Sequence, residues 1–338
     1  MLAPPELEPT VREFLGDVPL HPLGAVGERR AAAGGWLAAE YVRRAAAVAV
    51  RRAPAPDVVV AASHFLPDAA AVAALVRRGA FGVAYVYHLV GARPGRSVRT
   101  IWSKADERAG LALLRRSARV VFASNEPTSS ALRARGIEPV ATTIGVDVSS
   151  FTPAQPTELP PRCLFLARLA RTKGLADAVE ALARVRRRVP DAHLVVVGTG
   201  PERGPASALA ERIGVGDAVE WLGFVSEADK RRALASSRLL LAPSYEEGWG
   251  IAVCEALASG VPVVAYRHPV LDEVFGSAYL AAGPGDVDGL AELAVRVLTD
   301  LPYAEGLARA GRTTAERYDV GRVAKLELDA ILQGRCAS

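Results

Sequence analysis

Two glutamates eight residues apart, Glu247 and Glu255, flank the start of an apolar segment, Ile251–Ala258, that is typical of a short helix. Gly248 and Gly250 come directly before that segment, where a missing side chain lets a ligand approach the backbone closely. The N–H groups at a helix N-terminus suit a phosphate, whereas carboxylates accept charge-assisted hydrogen bonds from sugar hydroxyls. The spacing fits a ligand with both groups, and it fits a capped helix with two solvated glutamates equally well.

A basic loop, residues 167–174, follows a predicted strand and enters a predicted helix. Its Arg168 and Lys173 could converge on a diphosphate, the guanidinium as a fork and the ammonium as a point charge. Only four of the 41 basic residues are lysines, so a lysine at this position carries weight. Cations at a helix start are mildly unfavourable, which favours an anionic ligand over an ordinary basic loop.

Three weaker signals end other predicted strands. The turn Gly198-Thr199-Gly200 could hold a phosphate, but a tight strand-to-helix turn without a ligand explains it at least as well. His64 and His88 each end a strand in the first half of the chain. Either imidazole could hydrogen-bond a ligand, and either could be structural.

These residues need a sheet to position them, and the alternation of apolar runs with turn signals predicts one in each half of the chain. Predicted strands span 57–62, 82–87, 118–123, 164–167, 193–197, 219–224, 239–242 and 261–265, with helices between them. Strands that are apolar throughout indicate parallel sheets covered on both faces. We expect two doubly wound α/β domains, with ligands at the carboxyl ends of the strands in the cleft between them. Helical segments cover about 286–332, with a break at Tyr318-Asp319.

Composition excludes several classes of protein. The 338 residues suggest two domains, and a chain that is 50% hydrophobic is not a disordered one. No apolar run is long enough to span a membrane, and the N-terminus does not resemble a secretory signal. Three distant cysteines predict neither a disulfide framework nor a zinc site, and they fit a reducing cytoplasm.

Charge is unevenly divided between the halves. Residues 1–150 carry 19 basic and 13 acidic residues, a net +6, whereas residues 151–338 carry 22 and 24, a net −2. The acidic second half and the lack of an aromatic-plus-basic motif argue against nucleic-acid binding. The basic first half is compatible with an anionic acceptor or a membrane surface, and also with scattered solvated arginines.

The motifs together resemble a known family. The stretches AR-L-x3-KG, VVVGTGP and S-x-EEGWGIAVCEALASG-VPVVA look like the nucleotide-sugar domain of the family-4 retaining glycosyltransferases, which have the two-domain GT-B fold. The resemblance is specific over 162–300 and looser over 57–153. GVDVSSFTP at 145–153 is similar to the family's interdomain NGVD-x3-F-x-P stretch, with Ile144 where asparagine is usual.

The resemblance implies a role for each matched residue. Arg168 and Lys173 would hold the diphosphate, Glu247 the hydroxyls of the transferred sugar, and Glu255 the ribose. His88 would touch the donor sugar. The catalytic set so implied is His88, Arg168, Lys173 and Glu247, and the nucleotide-sugar-binding set is Arg168, Lys173, Gly248, Trp249, Gly250, Ile251 and Glu255.

The implied activity is a retaining transfer of a hexosyl group from a nucleotide sugar, a UDP-sugar rather than a GDP-sugar, to an unidentified hydroxyl acceptor. Neither a cofactor nor a metal is expected. The expected acceptor is lipid-linked or a natural product. The expected location is the cytoplasm or the membrane periphery, and no transmembrane segment is expected. The alternative is a non-catalytic or truncated relative that binds a nucleotide sugar or supports a partner enzyme. An epimerase fits less well, and a dehydrogenase lacks its glycine fingerprint.

One departure from the family concerns the N-terminus. Family members begin with a strand, a glycine-rich loop and a helix, and residues 1–56 show no such pattern. The sequence predicts an N-terminal acceptor-side domain over 1–153, completed by a C-terminal helix at 319–338, and a donor-binding domain over 154–318.

Overall fold

The computed structural model describes residues 2–3, 21–22, 56–89, 98–153 and 159–337. The chain forms two compact units, the first containing Met1–Ala141 and Asp329–Ser338 and the second Thr142–Leu328. The predicted absence of a strand, glycine loop and helix over 1–56 concerns a segment that lies almost wholly outside the described residues. Leu2–Ala3 and His21–Pro22, the parts of that segment with described backbone pairing, are parallel neighbours.

The first unit contains a parallel sheet with its strands in sequence order. Its strands are β1 (Val58–Ala61), β2 (Phe81–Val86), β3 (Val120–Ala123) and β4 (Val140–Ala141), and its helices are α1 (Leu66–Val76), α2 (Val98–Ser117) and α3 (Glu126–Arg133). One face of the sheet packs on apolar residues of α1 and α2, including Val72 and Leu114. The other face, around Val83 and Phe122, is covered by Ile331 and Ala330 near the C-terminus.

The second unit contains a six-stranded parallel sheet. Its strands are β5 (Arg162–Leu166), β6 (His193–Val197), β7 (Val219–Gly223), β8 (Leu239–Ala242), β9 (Val263–Tyr266) and β10 (Leu280–Ala282). The accompanying helices are α4 (Leu175–Arg186), α5 (Arg203–Arg212), α6 (Glu227–Ala235), α7 (Ile251–Ala258), α8 (Pro269–Phe275), α9 (Val287–Thr299) and α10 (Leu301–Ala315), and α11 (Val320–Cys336) follows. The predicted α/β class with parallel strands is confirmed.

Strand order in the second sheet locates its binding edge. The order is β10-β9-β8-β5-β6-β7, so the chain winds outward from β5 in one direction and then restarts beside it at β8. The connections that follow β5 and β8 therefore lead away from each other, which opens a crevice at the carboxyl ends of these two strands. The basic loop follows β5 and the glutamate loop follows β8, so both predicted ligand-binding loops begin at this switch point.

Both faces of the second sheet are buried except at the edge strand β7, because alternate residues of the other five strands belong to two separate apolar clusters. Cys163 and Phe165 of β5 belong to one cluster, with the apolar side of α4 and α9. Leu164 of β5 belongs to the other, with α7 and Trp249. This explains why the strands are apolar throughout instead of alternating with polar residues. None of the helices in the described part of the chain combines the length and apolar character that a membrane span requires.

The two chain segments that join the units lie side by side. The Val146 N–H donates to the Tyr318 carbonyl at 2.8 Å, and the Val320 N–H donates to the Val146 carbonyl at 2.9 Å. Val148 and Phe151 pack into the core of the second unit. The units divide at 141/142 and 328/329, whereas the sequence predicts domain boundaries at 153/154 and 318/319. Burial of this connecting segment accounts for the difference at the first boundary.

The turn after β6 requires glycine. Gly198 has φ +135°, and a Cβ placed on it would lie 1.9 Å from the carbonyl oxygen of Ala167. The Gly198 N–H also donates to the Gly223 carbonyl at 2.8 Å. Close approach of the backbone after β5 therefore accounts for this glycine without any ligand, as the sequence allowed.

Gly198→Ala should lower the free energy of unfolding by about 2–4 kcal/mol, because it adds backbone strain and a collision with a neighbouring loop. Gly204→Ala is the matched control, since Gly204 lies in α5 with open space around its Cα. That change should be neutral or stabilise the protein by up to about 1 kcal/mol. Thermal unfolding followed by circular dichroism measures both, and equal midpoints for the two variants would contradict this account of the turn.

Candidate active site

The loop between β8 and α7, residues 243–250, is tied to the rest of the second unit by hydrogen bonds. The Tyr245 N–H donates to the carbonyl of Thr172 in the basic loop at 2.8 Å. The hydroxyls of Tyr245 and Tyr266 both donate to Asp177 Oδ2, at 2.5 and 2.7 Å. These bonds hold the two predicted ligand-binding loops against each other at the switch point.

Trp249 fixes the same loop from its other end. Its side chain is 2% exposed, and its Nε1–H donates to Thr143 Oγ1 at 2.9 Å. The indole packs edge-to-face on Phe275 and Tyr318. The sequence predicted Trp249 as a nucleotide-sugar-binding residue, but the whole residue is buried and its indole lies in the core, so Trp249 positions the loop and offers almost no surface to a ligand.

Gly250 brings the chain from this buried anchor into α7. It has φ +101°, and a Cβ on it would lie 2.6 Å from Leu271 Cδ2. No side chain caps the N-terminus of α7. Gly248 is exposed with open space around its Cα, and Ile251 is 49% exposed. The start of α7 is therefore accessible, as a phosphate-binding or sugar-binding backbone requires.

Lys173 and Glu247, predicted from separate motifs, form an ion pair. Lys173 Nζ lies 2.6 Å from Glu247 Oε1 and donates to the Glu246 carbonyl at 3.1 Å. The two side chains are 18% and 15% exposed. An ammonium has three N–H donors, so one donor remains for a phosphate oxygen after these two bonds.

Arg168 lies on the same loop as Lys173 but in a different environment. Its side chain is exposed, and among the described residues no carboxylate pairs with its guanidinium. All of its N–H donors therefore remain available to an anion. Arg168 and Lys173 together can supply a fork and a point charge to a diphosphate.

His268 belongs to this cluster, although the sequence reasoning did not select it. It follows β9, and its Nδ1 accepts a hydrogen bond from the Val270 N–H at 3.2 Å. Burial lowers the pKa of His268, Glu247 opposes that effect, and Lys173 adds to it. The imidazole is therefore neutral at pH 7. Its position at the carboxyl end of a strand is the signal that selected His88 and could have selected His268 as well.

Glu255 is also paired with a lysine, one that the sequence reasoning did not assign to the site. Lys230 Nζ lies 2.6 Å from Glu255 Oε1 and 2.8 Å from Glu227 Oε2. The side chains of Lys230 and Glu255 are 16% and 11% exposed. Burial raises the pKa of Glu255, and the Lys230 ammonium opposes that rise. Burial alone would lower the pKa of Lys230, but the two carboxylates outweigh it and raise that pKa.

In the first unit, His88 follows β2 and lies beside a buried polar pair. His64 Nε2 is 3.3 Å from Glu107 Oε2, and both side chains are almost fully buried. His88 itself is only partly exposed. Partial burial and the neighbouring His64 lower the pKa of His88, while Glu107 opposes them. His88 is therefore a neutral imidazole that can donate or accept a hydrogen bond, and His64 is a core residue.

Metal binding has no evident location in the part of the chain that the structure describes. There, no three side chains among histidine, cysteine, aspartate and glutamate are close enough together to hold an ion. Lys173 and Arg168 carry positive charge to the loop that follows β5.

Comparison with known proteins finds similarity to glycosyl transferases. A family model described as "Glycosyl transferases group 1" matches residues 152–314. The chain is 34% identical over 176 residues to a 2-deoxystreptamine glucosyltransferase of Streptomyces kanamyceticus, covering 51% of this chain and 46% of that protein. It is 34% identical over 209 residues to a phosphatidyl-myo-inositol mannosyltransferase of Mycobacterium tuberculosis, covering 57% and 53%. The chain thus spans about half the length of the curated relatives that it matches.

Solved structures extend the likeness to both units. HepE of Anabaena in complex with UDP-glucose superposes with a TM-score of 0.76 at 18% identity, covering 96% of this chain and 88% of that one. Sucrose-phosphate synthase of Thermosynechococcus elongatus superposes with a TM-score of 0.73 at 21% identity, covering 94% and 82%. The chain therefore has the GT-B fold, and its residues 152–314 carry the sequence pattern of the group 1 glycosyl transferases.

Proposed function

We propose that this protein is a retaining glycosyltransferase that moves a hexosyl group from a nucleotide sugar to a hydroxyl acceptor without a metal ion. The observation that carries the proposal is the 2.6 Å pair of Lys173 and Glu247 at the switch point of the second sheet. The pair combines a cation, which suits a phosphate, with a carboxylate, which suits hydroxyl groups. A nucleotide sugar carries both partners, a diphosphate and a hydroxylated ring, on adjacent atoms.

The residues divide the donor between them. Arg168 and Lys173 hold the diphosphate, and the backbone around Gly248 and Gly250 supports the sugar and phosphates. Glu247 accepts hydrogen bonds from hydroxyls of the transferred sugar, and Glu255 accepts them from the ribose. The family resemblance assigns His88, in the first unit, to the donor sugar as well. These roles follow from the chemistry of the groups and from the family resemblance of their motifs.

The transfer step needs no protein base. The bond between the anomeric carbon and the diphosphate oxygen breaks, and its electron pair stays with the diphosphate. The acceptor oxygen bonds to the anomeric carbon on the same face, and its proton passes to the departing diphosphate. Arg168 and Lys173 stabilise the negative charge that develops on the leaving group, so catalysis rests on positioning and on preorganised charge.

The donor base and the acceptor are the least constrained parts of the proposal. UDP-sugars are proposed over GDP-sugars, and a lipid-linked or natural-product hydroxyl is proposed as the acceptor. The two relatives are named for acceptors of these two kinds, a phosphatidyl-inositol and 2-deoxystreptamine. The alternative of a non-catalytic relative is not favoured, because Arg168, Lys173, Glu247 and Glu255 are all present and the matched relatives are named as enzymes.

Lys173→Ala and Arg168→Ala should each weaken UDP binding by about tenfold to a hundredfold, since each removes a charge-assisted contact worth about 1.5–3 kcal/mol. Arg171→Ala is the matched control, because Arg171 is an exposed cation in the same turn as Lys173. It should bind UDP like the parent. Calorimetric titration measures all three, and parental affinity in both site variants would refute the phosphate assignment.

Transfer activity should survive chelation by EDTA, because Arg168 and Lys173 supply the charge that a metal supplies elsewhere. The measurement is product formation from UDP-glucose and a panel of hydroxyl acceptors, with and without the chelator. The counter-result is complete loss of turnover that added magnesium or manganese restores.

The two glutamates should respond differently to loss of charge. Glu247→Gln should reduce turnover while UDP affinity barely changes, because its partner is the transferred sugar. Glu255→Gln should weaken UDP binding itself, because its partner is the ribose. Glu246→Gln is the control, since Glu246 is exposed beside Glu247. Titration of UDP alongside a turnover assay separates these cases, and equal loss of UDP affinity in both site variants would disprove the division of roles.

A further inference from the structure

Lys230 is a buried cation that the proposed reaction does not yet use. It is one of four lysines in the chain and lies on α6, whereas Glu255 lies on α7. Its ammonium bridges Glu255 and Glu227 at 2.6 and 2.8 Å. The next ion pair along α6, Arg232 with Asp229, is exposed to solvent and has no counterpart on another helix. Lys230 therefore differs from an ordinary surface pair in both burial and connectivity.

The Lys230 pair leaves Glu255 with one unused oxygen. Oε1 accepts from Lys230, and no described residue donates a hydrogen bond to Oε2. Glu255 Oε2 is not among the buried side-chain atoms without a partner in the described part of the chain, so solvent reaches it although the side chain is only 11% exposed, and a ligand hydroxyl can replace that solvent. Neutral hydroxyl groups are suitable donors, because they compensate the oxygen without adding charge.

The charges around Glu255 explain why one lysine can pair with it and still leave the cluster able to accept hydrogen bonds. Lys230 faces two carboxylates, so the cluster of Lys230, Glu227 and Glu255 has a net charge of −1 and stays an acceptor site. Arg231 and Cys254 are the other titratable groups whose charges act on or respond to Glu255. Arg231 offsets the net charge of these three groups, so the cluster suits neutral hydroxyl donors at the nucleoside end of the donor and leaves the diphosphate to Lys173 and Arg168.

We propose that Lys230 is a positioning residue that keeps Glu255 ionised and turns Oε2 toward the ribose hydroxyls of the nucleotide. This inference rests on the proposed function, in which the ligand is a nucleoside diphosphate sugar. Lys230 acts through Glu255 and does not contact the ligand. Its loss therefore affects recognition of the hydroxyls specifically, whereas a merely structural tie between α6 and α7 would affect every nucleotide alike.

The experiment compares UDP with 2′,3′-dideoxy-UDP, and GDP with its dideoxy form, by calorimetric titration. The parent should bind the hydroxylated form of its preferred nucleotide about tenfold or more tightly than the dideoxy form. Lys230→Met should reduce this ratio to near one, by weakening the hydroxylated form and leaving the dideoxy form unchanged. Lys230→Arg should restore much of the ratio. Arg232→Met removes one exposed charge from the same helix and should keep the parental ratio.

A pH series gives a second readout. Burial raises the pKa of Glu255 and the Lys230 ammonium opposes that rise, so any hydroxyl preference left in Lys230→Met should be lost at a higher pH than in the parent as the pH is lowered. The readout is the ratio of the affinities for the hydroxylated and dideoxy forms. Titration of the diphosphate affects both affinities equally, so it cancels in this ratio. Thermal midpoints without ligand identify loss of folding. Should Lys230→Met fail to fold, Lys230→Gln, which removes the charge but keeps a hydrogen-bond donor, carries the test with the same expected loss of the ratio.

The outcomes separate the two proposals. If Lys230→Met keeps the parent's ratio of affinities for the hydroxylated and dideoxy forms, or binds both forms more weakly by the same factor, the role of Lys230 is overturned. The proposed function still stands in that case, provided that the parent binds UDP or GDP. A parent that binds neither UDP nor GDP overturns the proposed function, and the role of Lys230 falls with it.

Discussion

The direction of the six strands in the second sheet is the constraint on which the site depends. Because all six are parallel, every strand delivers its following loop to the same edge. The restart of the chain at β8, beside β5, then leaves a crevice between the two loops that leave these strands. The hydrogen bond from the Tyr245 N–H to the Thr172 carbonyl, and the shared acceptor Asp177, hold those loops in register. The Lys173–Glu247 pair forms at the point where they meet.

Electrostatics at this edge follow one pattern. Glu247 and Glu255 are both largely buried, and each is matched to one lysine at 2.6 Å. Burying a carboxylate is expensive unless a cation and further hydrogen bonds compensate it. In each pair one hydrogen-bonding group has no partner among the described residues. In the first pair it is the third N–H of Lys173, and in the second it is Oε2 of Glu255. The protein therefore maintains charged groups in a partly desolvated place where their attraction for a polar ligand is stronger than in water.

Much of this arrangement was predictable from local sequence. Continuous apolar runs bounded by turn residues located β6 and β8 to the residue, and the break at Tyr318-Asp319 separates α10 from α11 as predicted. Residue type and spacing alone selected three candidate site residues, Lys173, Glu247 and Glu255. Their assignment to diphosphate, sugar and ribose came from the family resemblance, and it stays a prediction.

The parts that sequence reasoning missed depend on distant partners. Lys230 meets Glu255 only because α6 packs beside α7, and no local periodicity encodes that contact. Trp249 could serve a core or a ligand equally well until its hydrogen bond to Thr143, from another part of the chain, shows that the indole is buried. His268 lies at the end of a strand, as His88 does, so the same sequence rule could have selected it.

The side-by-side connection between the units has a consequence for modularity. The chain passes from the first unit to the second at 141/142 and returns at 328/329, inside α11, whose last turns cover a face of the first sheet through Ala330 and Ile331. The second unit therefore cannot be exchanged between relatives by a single crossover, because one cut always transfers the covering helix with it. Recombination that preserves both folds must join the chain at two places, and the segments around Val146 and Val320 must then match each other as a pair.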